Sequence, residues 1–454
     1  MNVIVIVSDT LRRDRLGCYG CDWISTPHID NLASKSAVFD KYYIASFPTL
    51  PYRADVFTGR YTFAYYGWGP LPRSEKVLSE CLSQSGYLTQ LITDVPHMMN
   101  EGRYYERGFN GWEWIRGQSL DKYQTVANCQ VRIPYDESLY RRNGELYRQH
   151  LRNTLFRHTE EEYFPAKTIR TASKWLEYNY KTDRFFLWID LFDPHEPWDP
   201  PQWYVDRYDS EYSGRVIPHP DYNECSFLSE EELKHCHALY CGEVTLVDRW
   251  VGYILQKIEE LGLMKNTCIL FLSDHGFYFG EHGKIGKHTI RDDPWALYEE
   301  IAHIPLIVYH PHVAHKRIDL LVQPQDIMPT ILEMCNIRIP DTVQGKSLSG
   351  ALSGDQTAIR KAAISTGALH KELPSVETRI SVTDGEWSLV FGYKEKNELY
   401  DLRIDSKQEN NLYSKNQNVA DTLYRNIIAS LKSIRCPREV IDKIDTYYIQ
   451  GHSG

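Results

Sequence analysis

The chain has 454 residues, 42% hydrophobic and 25% charged, which is enough for one large folded domain plus a smaller one and excludes a disordered or fibrous protein. A formal net charge of −10 excludes the broad basic field that draws proteins to nucleic acid or an anionic membrane, so an anionic substrate must be captured locally. Ten cysteines are scattered, with only Cys18 and Cys21 closely spaced and no second pair or histidines at zinc-site spacing, and most are expected as buried reduced thiols.

From Met1 the chain enters an apolar strand with no basic leader, and no run approaches bilayer-spanning length, so we expect a soluble, cytoplasmic protein. In chain order, apolar β-branched runs at 3–7, 87–92, 185–191, 267–272 and 305–309 predict buried strands. Helical patterns at about 27–37, 52–58, 74–85, 160–180, 229–262 and 324–335 separate them, the last interrupted by Pro324 and Pro329. This alternation predicts an α/β fold with a mainly parallel sheet covered by helices on both faces. Beyond about residue 360 the runs shorten. Those at 378–383 and 387–393 are joined by the turn dipeptide Asp384-Gly385, which predicts a hairpin in a small antiparallel subdomain ending in a helix near 417–433. We divide the chain into a catalytic α/β domain, 1–358, and a C-terminal subdomain, 359–454.

Asp9 follows the first predicted strand and Asp274-His275 the fourth, at carboxyl ends of strands, where open α/β sheets bind ligands. Thr49, two residues before Pro51, stands at a helix start, where free backbone N–H groups favour an oxyanion. Asp9, Thr49, Asp274 and His275 offer three oxygens and one nitrogen, a set suited to one divalent cation. An imidazole with few carboxylates favours Mn²⁺ or Zn²⁺, with Ca²⁺ and Mg²⁺ admissible. Alone, an aspartate at a strand end is more often a cap or turn residue, and Asp-His-Gly is a weak motif.

Several segments carry a resemblance: Val3–Arg12, Thr26–Ala33, Thr49-Leu50-Pro51-Tyr52-Arg53 with Thr58-Gly59-Arg60, Ser273–Gly276, Gly280–Gly283 with Gly286-Lys287, and Glu398–Leu402. In order and spacing they resemble the sulfatase family of the alkaline phosphatase superfamily, from about Val3 to Leu412. The resemblance implies an alkaline-phosphatase-like sandwich with a small C-terminal antiparallel subdomain. The family signature is Cys-x-Pro-Ser-Arg followed by Thr-Gly-Arg, with the cysteine oxidised to formylglycine. Thr49 stands in its place, so no formylglycine is expected, and a metal-held hydroxyl becomes the nucleophile. Carried over residue by residue, Arg53 would neutralise the attacked group, Lys287 would bind a non-bridging oxygen, and His195 would donate a proton to the leaving group. Thr10 replaces a second aspartate. Asp94-Val95-Pro96-His97 replaces Gly-Lys-Trp-His, keeping a histidine but not the lysine, so His97 is either a substrate contact or structural. His282 and His288 either face the pocket or are ordinary loop residues.

The Asp/Thr/Asp/His combination also resembles one metal site of nucleotide pyrophosphatase/phosphodiesterases, whose threonine attacks phosphorus. We therefore expect a single-metal hydrolase of a small anionic phosphoester, a phosphodiester or phosphonate monoester, acting through a covalent Thr49 intermediate. The alternatives are a sulfate-ester hydrolase using Thr49 in place of formylglycine, and a non-catalytic binder of sulfated or phosphorylated sugars. No nucleic-acid or membrane partner is expected, and the oligomeric state stays open. Arginines and tyrosines interleave between Arg132 and His158, either as a solvated helix face or as a substrate-recognising rim. Trp112, Trp114 and Trp198 either wall the pocket or pack in the core.

Overall fold

Val3–Val7 are all β-branched, stiff at χ1 and costly to leave in water, so they extend and bury both faces. They form the middle of β1 (Asn2–Ser8), which is buried along its whole length. The structure, a computed structural model, describes residues 1–100, 102–125, 131–288, 294–369 and 379–452. In chain order there follow β2 (Ala37–Tyr42), β3 (Leu88–Thr93), β4 (Gly111–Trp114), β5 (Phe185–Leu191), β6 (Asn223–Glu224), β7 (Thr267–Ser273), β8 (Tyr278–Phe279), β9 (Lys284–Gly286), β10 (Leu306–Tyr309) and β11 (Lys316–Val322). The central sheet has the order β11-β2-β10-β7-β1-β5-β3-β4, and β6-β9-β8 make a small separate sheet.

β1 runs parallel to both neighbours, β5 and β7, while β10 is antiparallel to β7 and β2. The mainly parallel α/β sheet expected from the sequence is what forms. Three of its strands escaped the apolar-run criterion because charged residues interrupt them. β2 carries Asp40 and Lys41, and β11 carries Arg317 and Asp319; across that edge Lys41 pairs with Asp319 and Arg317 with Asp40. β4, at the opposite edge, exposes Trp112.

Helices cover both faces. On one, the long helix Glu230–Glu260 packs against Phe164–Asn179, Gln202–Asp209 and Pro27–Ala33; it starts at a capping box between Ser229 and Glu232. On the other, the helices Thr49–Thr58, Leu78–Gln84 and Ile327–Met334 pack together. The first helix is shorter than expected, ending at Ala33 so that the chain can turn into β2. Among the described residues no helix is long and apolar enough to cross a membrane.

A second sheet, β12 (Ala363–Ser365), β13 (Ile380–Thr383), β14 (Trp387–Phe391) and β15 (Glu398–Asp401), is antiparallel throughout. Asp384-Gly385 sits in the β13–β14 turn, with Gly385 at φ +88°; Thr378, where the expected run begins, lies outside the described residues. The helix Gln417–Ser433 forms as expected, and a further one, Arg438–Gln450, completes a separate core containing Ile380, Leu389, Phe391, Leu423 and Ile444. Buried Gln323 ties the two sheets together, its amide donating to Ile44 O at 3.0 Å and Ile364 O at 2.9 Å.

Candidate active site

The parallel register of β1 with β7 sets Ser8 opposite Ser273, so the next residues, Asp9 and Asp274, emerge side by side at the carboxyl end of the sheet. Asp190, near the end of β5, lies opposite Val7. All three carboxylates are fully buried, and between them sits the guanidinium of Arg53. Arg53 donates to Asp274 Oδ2 at 2.7 Å and to Asp190 at 3.0 and 2.6 Å, and lies 3.2 Å from Asp9 Oδ2. Asp190 was missed in the sequence, although an acid inside an otherwise apolar strand was its signal.

Thr49 opens its helix rather than preceding it, and Arg53 one turn later donates back to its carbonyl at 3.1 Å. The Thr49 hydroxyl lies 3.3 Å from His275 Nε2. Ligand atoms of Asp9, Asp274 and His275 all lie within 4.8 Å of one another. Burial and the adjacent Asp274 push Asp9 well up. Burial would also raise Asp274, but His275, Arg53 and the Thr10 N–H outweigh it and hold it low. Burial depresses His275 to about 4, the neutral form a metal ligand requires. Three buried carboxylates share one guanidinium, and Asp9 Oδ2 accepts no hydrogen bond, so the donor set fits a divalent cation held by Asp9, Asp274, His275 and the Thr49 hydroxyl.

Above this cluster lies a cavity of about 420 Å³, within the range of small-ligand sites. Thr49, His97, His195 and Lys287 line it together, as does His288. Lys287, buried, donates to Thr10 Oγ1 at 3.1 Å and lies 3.6 Å from Glu196 Oε2; the Thr10 hydroxyl in turn donates to Asp9 at 2.8 Å. His195 stacks on Phe192 at 3.9 Å and donates from Nδ1 to the Glu196 carbonyl at 2.7 Å, which leaves Nε2 for the cavity. His97 packs edge-on against Trp68, 4.9 Å between ring centroids, and 6.3 Å from His195. Burial and then Lys287 lower both histidines, His97 to about 3, so both rest neutral.

Other expectations fall elsewhere. His282 stacks on Tyr298 beside Arg12 and Glu300, along a wider cleft of about 1020 Å³ that contains none of the candidate catalytic residues. Trp198 is core, Trp112 is exposed and Trp114 packs under Arg116; the tryptophan at the cavity is Trp68. The Arg132–His158 stretch divides. Arg148 pairs with Glu137 and Arg157 with Asp199, whereas Arg141 and Arg142 line the cavity. Glu196, His219 and Tyr222, also at the cavity, carried no spacing signal in the sequence.

A family model described as sulfatase matches residues 1–337. The chain belongs to the sulfatase family. A second model, N-sulphoglucosamine sulphohydrolase C-terminal, matches residues 280–435. The chain is 27% identical to an arylsulfatase of Clostridium perfringens over 90% of both chains. It is 24% identical to an N-acetylglucosamine-6-O-sulfatase of Bacteroides thetaiotaomicron, covering 91% of this chain and 83% of the relative. Solved structures share its fold, among them two of different chemistry. One, in complex with its substrate D-glucosamine-2-N,6-O-disulfate, has a TM-score of 0.73, 19% identity and coverage of 97% and 99%. The other, a phosphonate monoester hydrolase of Agrobacterium radiobacter, has a TM-score of 0.72, 20% identity and coverage of 96% and 95%.

These matches overturn the phosphoester expectation. It gave weight to a local combination, Asp9, Thr49, Asp274 and His275, whereas relatives aligned over nearly the whole chain are sulfatases. The physical reason is that a buried hydroxyl among metal ligands and cations is equally placed to attack sulfur or phosphorus, so those features do not discriminate. The ester-hydrolase reading stands.

Proposed function

We propose that this protein hydrolyses the sulfate ester of a small sulfated sugar, with Thr49 as nucleophile in the position of formylglycine. The observation that carries it is the Thr49 hydroxyl, 3.3 Å from His275 at the floor of a cavity that also holds His97, His195 and Lys287, in a chain of the sulfatase family. The names of its relatives and of a bound neighbour, N-acetylglucosamine-6-O-sulfatase and a disulfated glucosamine, support a sugar leaving group. Trp68 supplies the apolar face such a ring needs.

A divalent cation, Mn²⁺ or Zn²⁺ by its donor set, would lower the pKa of the hydroxyl it touches and offset sulfate charge. The residues do the rest. Thr49, its hydroxyl proton released to solvent beforehand, bonds through Oγ1 to sulfur as the sulfur–oxygen bond to the sugar breaks, and His195, as imidazolium in the substrate complex, gives its Nε2 proton to the departing alcohol. A bound anion would oppose the depression of His195 and so favour the imidazolium that carries this proton. Lys287, at the cavity, holds a sulfuryl oxygen, while Arg53, committed to Asp190, Asp274 and the Thr49 carbonyl, fixes the position of the nucleophile. Sulfated threonine has no geminal hydroxyl, so the second step is attack of water on sulfur, with the water proton passing to His195 and Thr49 restored. Wild-type protein with Mn²⁺, Zn²⁺, Ca²⁺ or Mg²⁺ should release sulfate from nitrophenyl sulfate and from N-acetylglucosamine 6-sulfate, and Thr49→Ala should not. Failure to turn over any sulfate ester with any of these metals would overturn the reading.

A further inference from the structure

We propose that Arg141 and Arg142 form a second anion subsite at the mouth of the same cavity, so that the preferred substrate is a sugar sulfate bearing another anionic group, a sulfate or a carboxylate. The inference rests on the sulfate-ester reading above and adds the identity of the leaving group.

Charge pairing is uneven along the cavity. At the inner end Arg53 is met by Asp9, Asp190 and Asp274, and Lys287 by Glu196 at 3.6 Å. At the outer end the cations lack such partners. Arg141 is buried, with its guanidinium over the Tyr222 ring at 3.9 Å, and its one ion-pair partner among the described residues, Asp221, lies at 3.9 Å, the limit of such a contact. Burial weakens its charged form, the expected cost of a poorly compensated guanidinium. Arg142 is exposed and makes no ion pair among the described residues.

The backbone has been bent to put these two side chains together. Neighbouring residues ordinarily point about 100° apart on a helix or to opposite faces of a strand. Arg142 and Asn143 instead both take left-handed conformations, φ +50° each, a rare choice for residues other than glycine and one that accumulates at ligand sites. The Arg141 N–H bonds to the His219 carbonyl at 3.0 Å, fixing the bend to the opposite wall. His219 is itself buried at the cavity, and its Nδ1 has no hydrogen-bond partner. This unpartnered nitrogen lines the same cavity as two under-compensated guanidinium groups, and in the Nδ1–H tautomer all three would donate to an acceptor-rich anion. The chain carries a net charge of −10 and the site is concave, which favours a small anionic ligand over a polyanion lying across the surface.

The test compares kcat/KM for an O-monosulfated N-acetylhexosamine, an N,O-disulfated hexosamine and an O-sulfated hexuronate, in wild type and in Arg142→Ala, which is exposed and should fold. We expect the wild type to prefer one or both two-anion substrates by at least tenfold, through KM, and Arg142→Ala to bring that ratio close to one. Preference for the disulfate identifies a sulfate at the subsite, and preference for the hexuronate a carboxylate. Equal kcat/KM for all three in the wild type, or an unchanged ratio in Arg142→Ala, overturns the proposal. If no ester is cleaved, the sulfate-ester reading fails by itself, and the subsite is judged by calorimetry of the disulfate on Thr49→Ala. A tenfold weaker affinity on adding Arg142→Ala supports it, and an unchanged affinity overturns it.

Discussion

Asp190 holds Arg53 by two parallel hydrogen bonds, 3.0 and 2.6 Å, with both side chains fully buried, and Trp188 Nε1 completes the Asp190 carboxylate at 2.9 Å. Removing one partner of such a pair strands a buried charge, at a cost of about 3–5 kcal/mol. Asp190→Ala should therefore lower the stability measured by urea unfolding by about that much, and leave sulfate-ester turnover at least tenfold down in whatever fraction folds. A loss below about 1 kcal/mol would mean that Asp9 and Asp274 suffice to hold Arg53.

Thr49→Ser keeps the hydroxyl and should retain measurable sulfate release. Thr49→Ala should abolish it while shifting the unfolding free energy by no more than about 1 kcal/mol, since one buried hydroxyl with a long 3.3 Å contact is lost. Mass spectrometry of acid-quenched wild type should find one sulfuryl group on the peptide containing Thr49. Full activity in Thr49→Ala would remove it as nucleophile.

His195→Ala should depress turnover most for sugar sulfates and least for nitrophenyl sulfate, because a stabilised phenolate leaves without a proton. Equal loss on both would assign His195 to binding.

Asp9→Ala and Asp274→Ala should each abolish stoichiometric metal binding, read by elemental analysis after gel filtration, since either change halves the carboxylates of the cluster. Retention of a full equivalent of metal in both would place the cation elsewhere.

Acid should destabilise the protein through buried neutral histidines. His97 and His237 are lowered by burial to about 3 from an ordinary 6.5, and His237 accepts from Arg15 at 2.9 Å. As pH falls through 6.5 the unfolded chain takes up these protons while the native one does not, so the stability they contribute is present above about 6.5 and lost toward pH 4. Partial exposure moderates the effect to about 1 kcal/mol each between pH 7 and 5. Urea midpoints across that range should fall, and should fall less in His237→Gln.

What the sequence revealed follows from which residues carry local signals. Val3–Val7 is an uninterrupted apolar run and Phe185–Leu191 nearly one, and Asp9 and Asp274-His275 follow such strands, so the strands and the meeting of these three side chains were both legible. β2 and β11 hid behind charges that pair with each other across an edge. His219, Tyr222 and Arg141 meet through an isolated bridge between Tyr140 and Pro220, a contact between distant segments that no local pattern encodes. The nature of the attacked ester was misjudged because Thr49 was read for its own chemistry, apart from the chain that surrounds it.

The pairing of Ser8 with Ser273 makes the spacing of Asp9 and Asp274 a property of the sheet, set by the roughly 4.8 Å between adjacent strands and not by loop conformation. These two residues are 265 positions apart, so their meeting depends on the long-range pairing of β1 with β7. A cation held by both residues would act as a clasp on that pairing, and saturating it at a hundred times its dissociation constant would add about 2.7 kcal/mol to global stability. Chelators should therefore lower the melting temperature of the entire chain, and loop redesign around the cavity should leave the clasp intact.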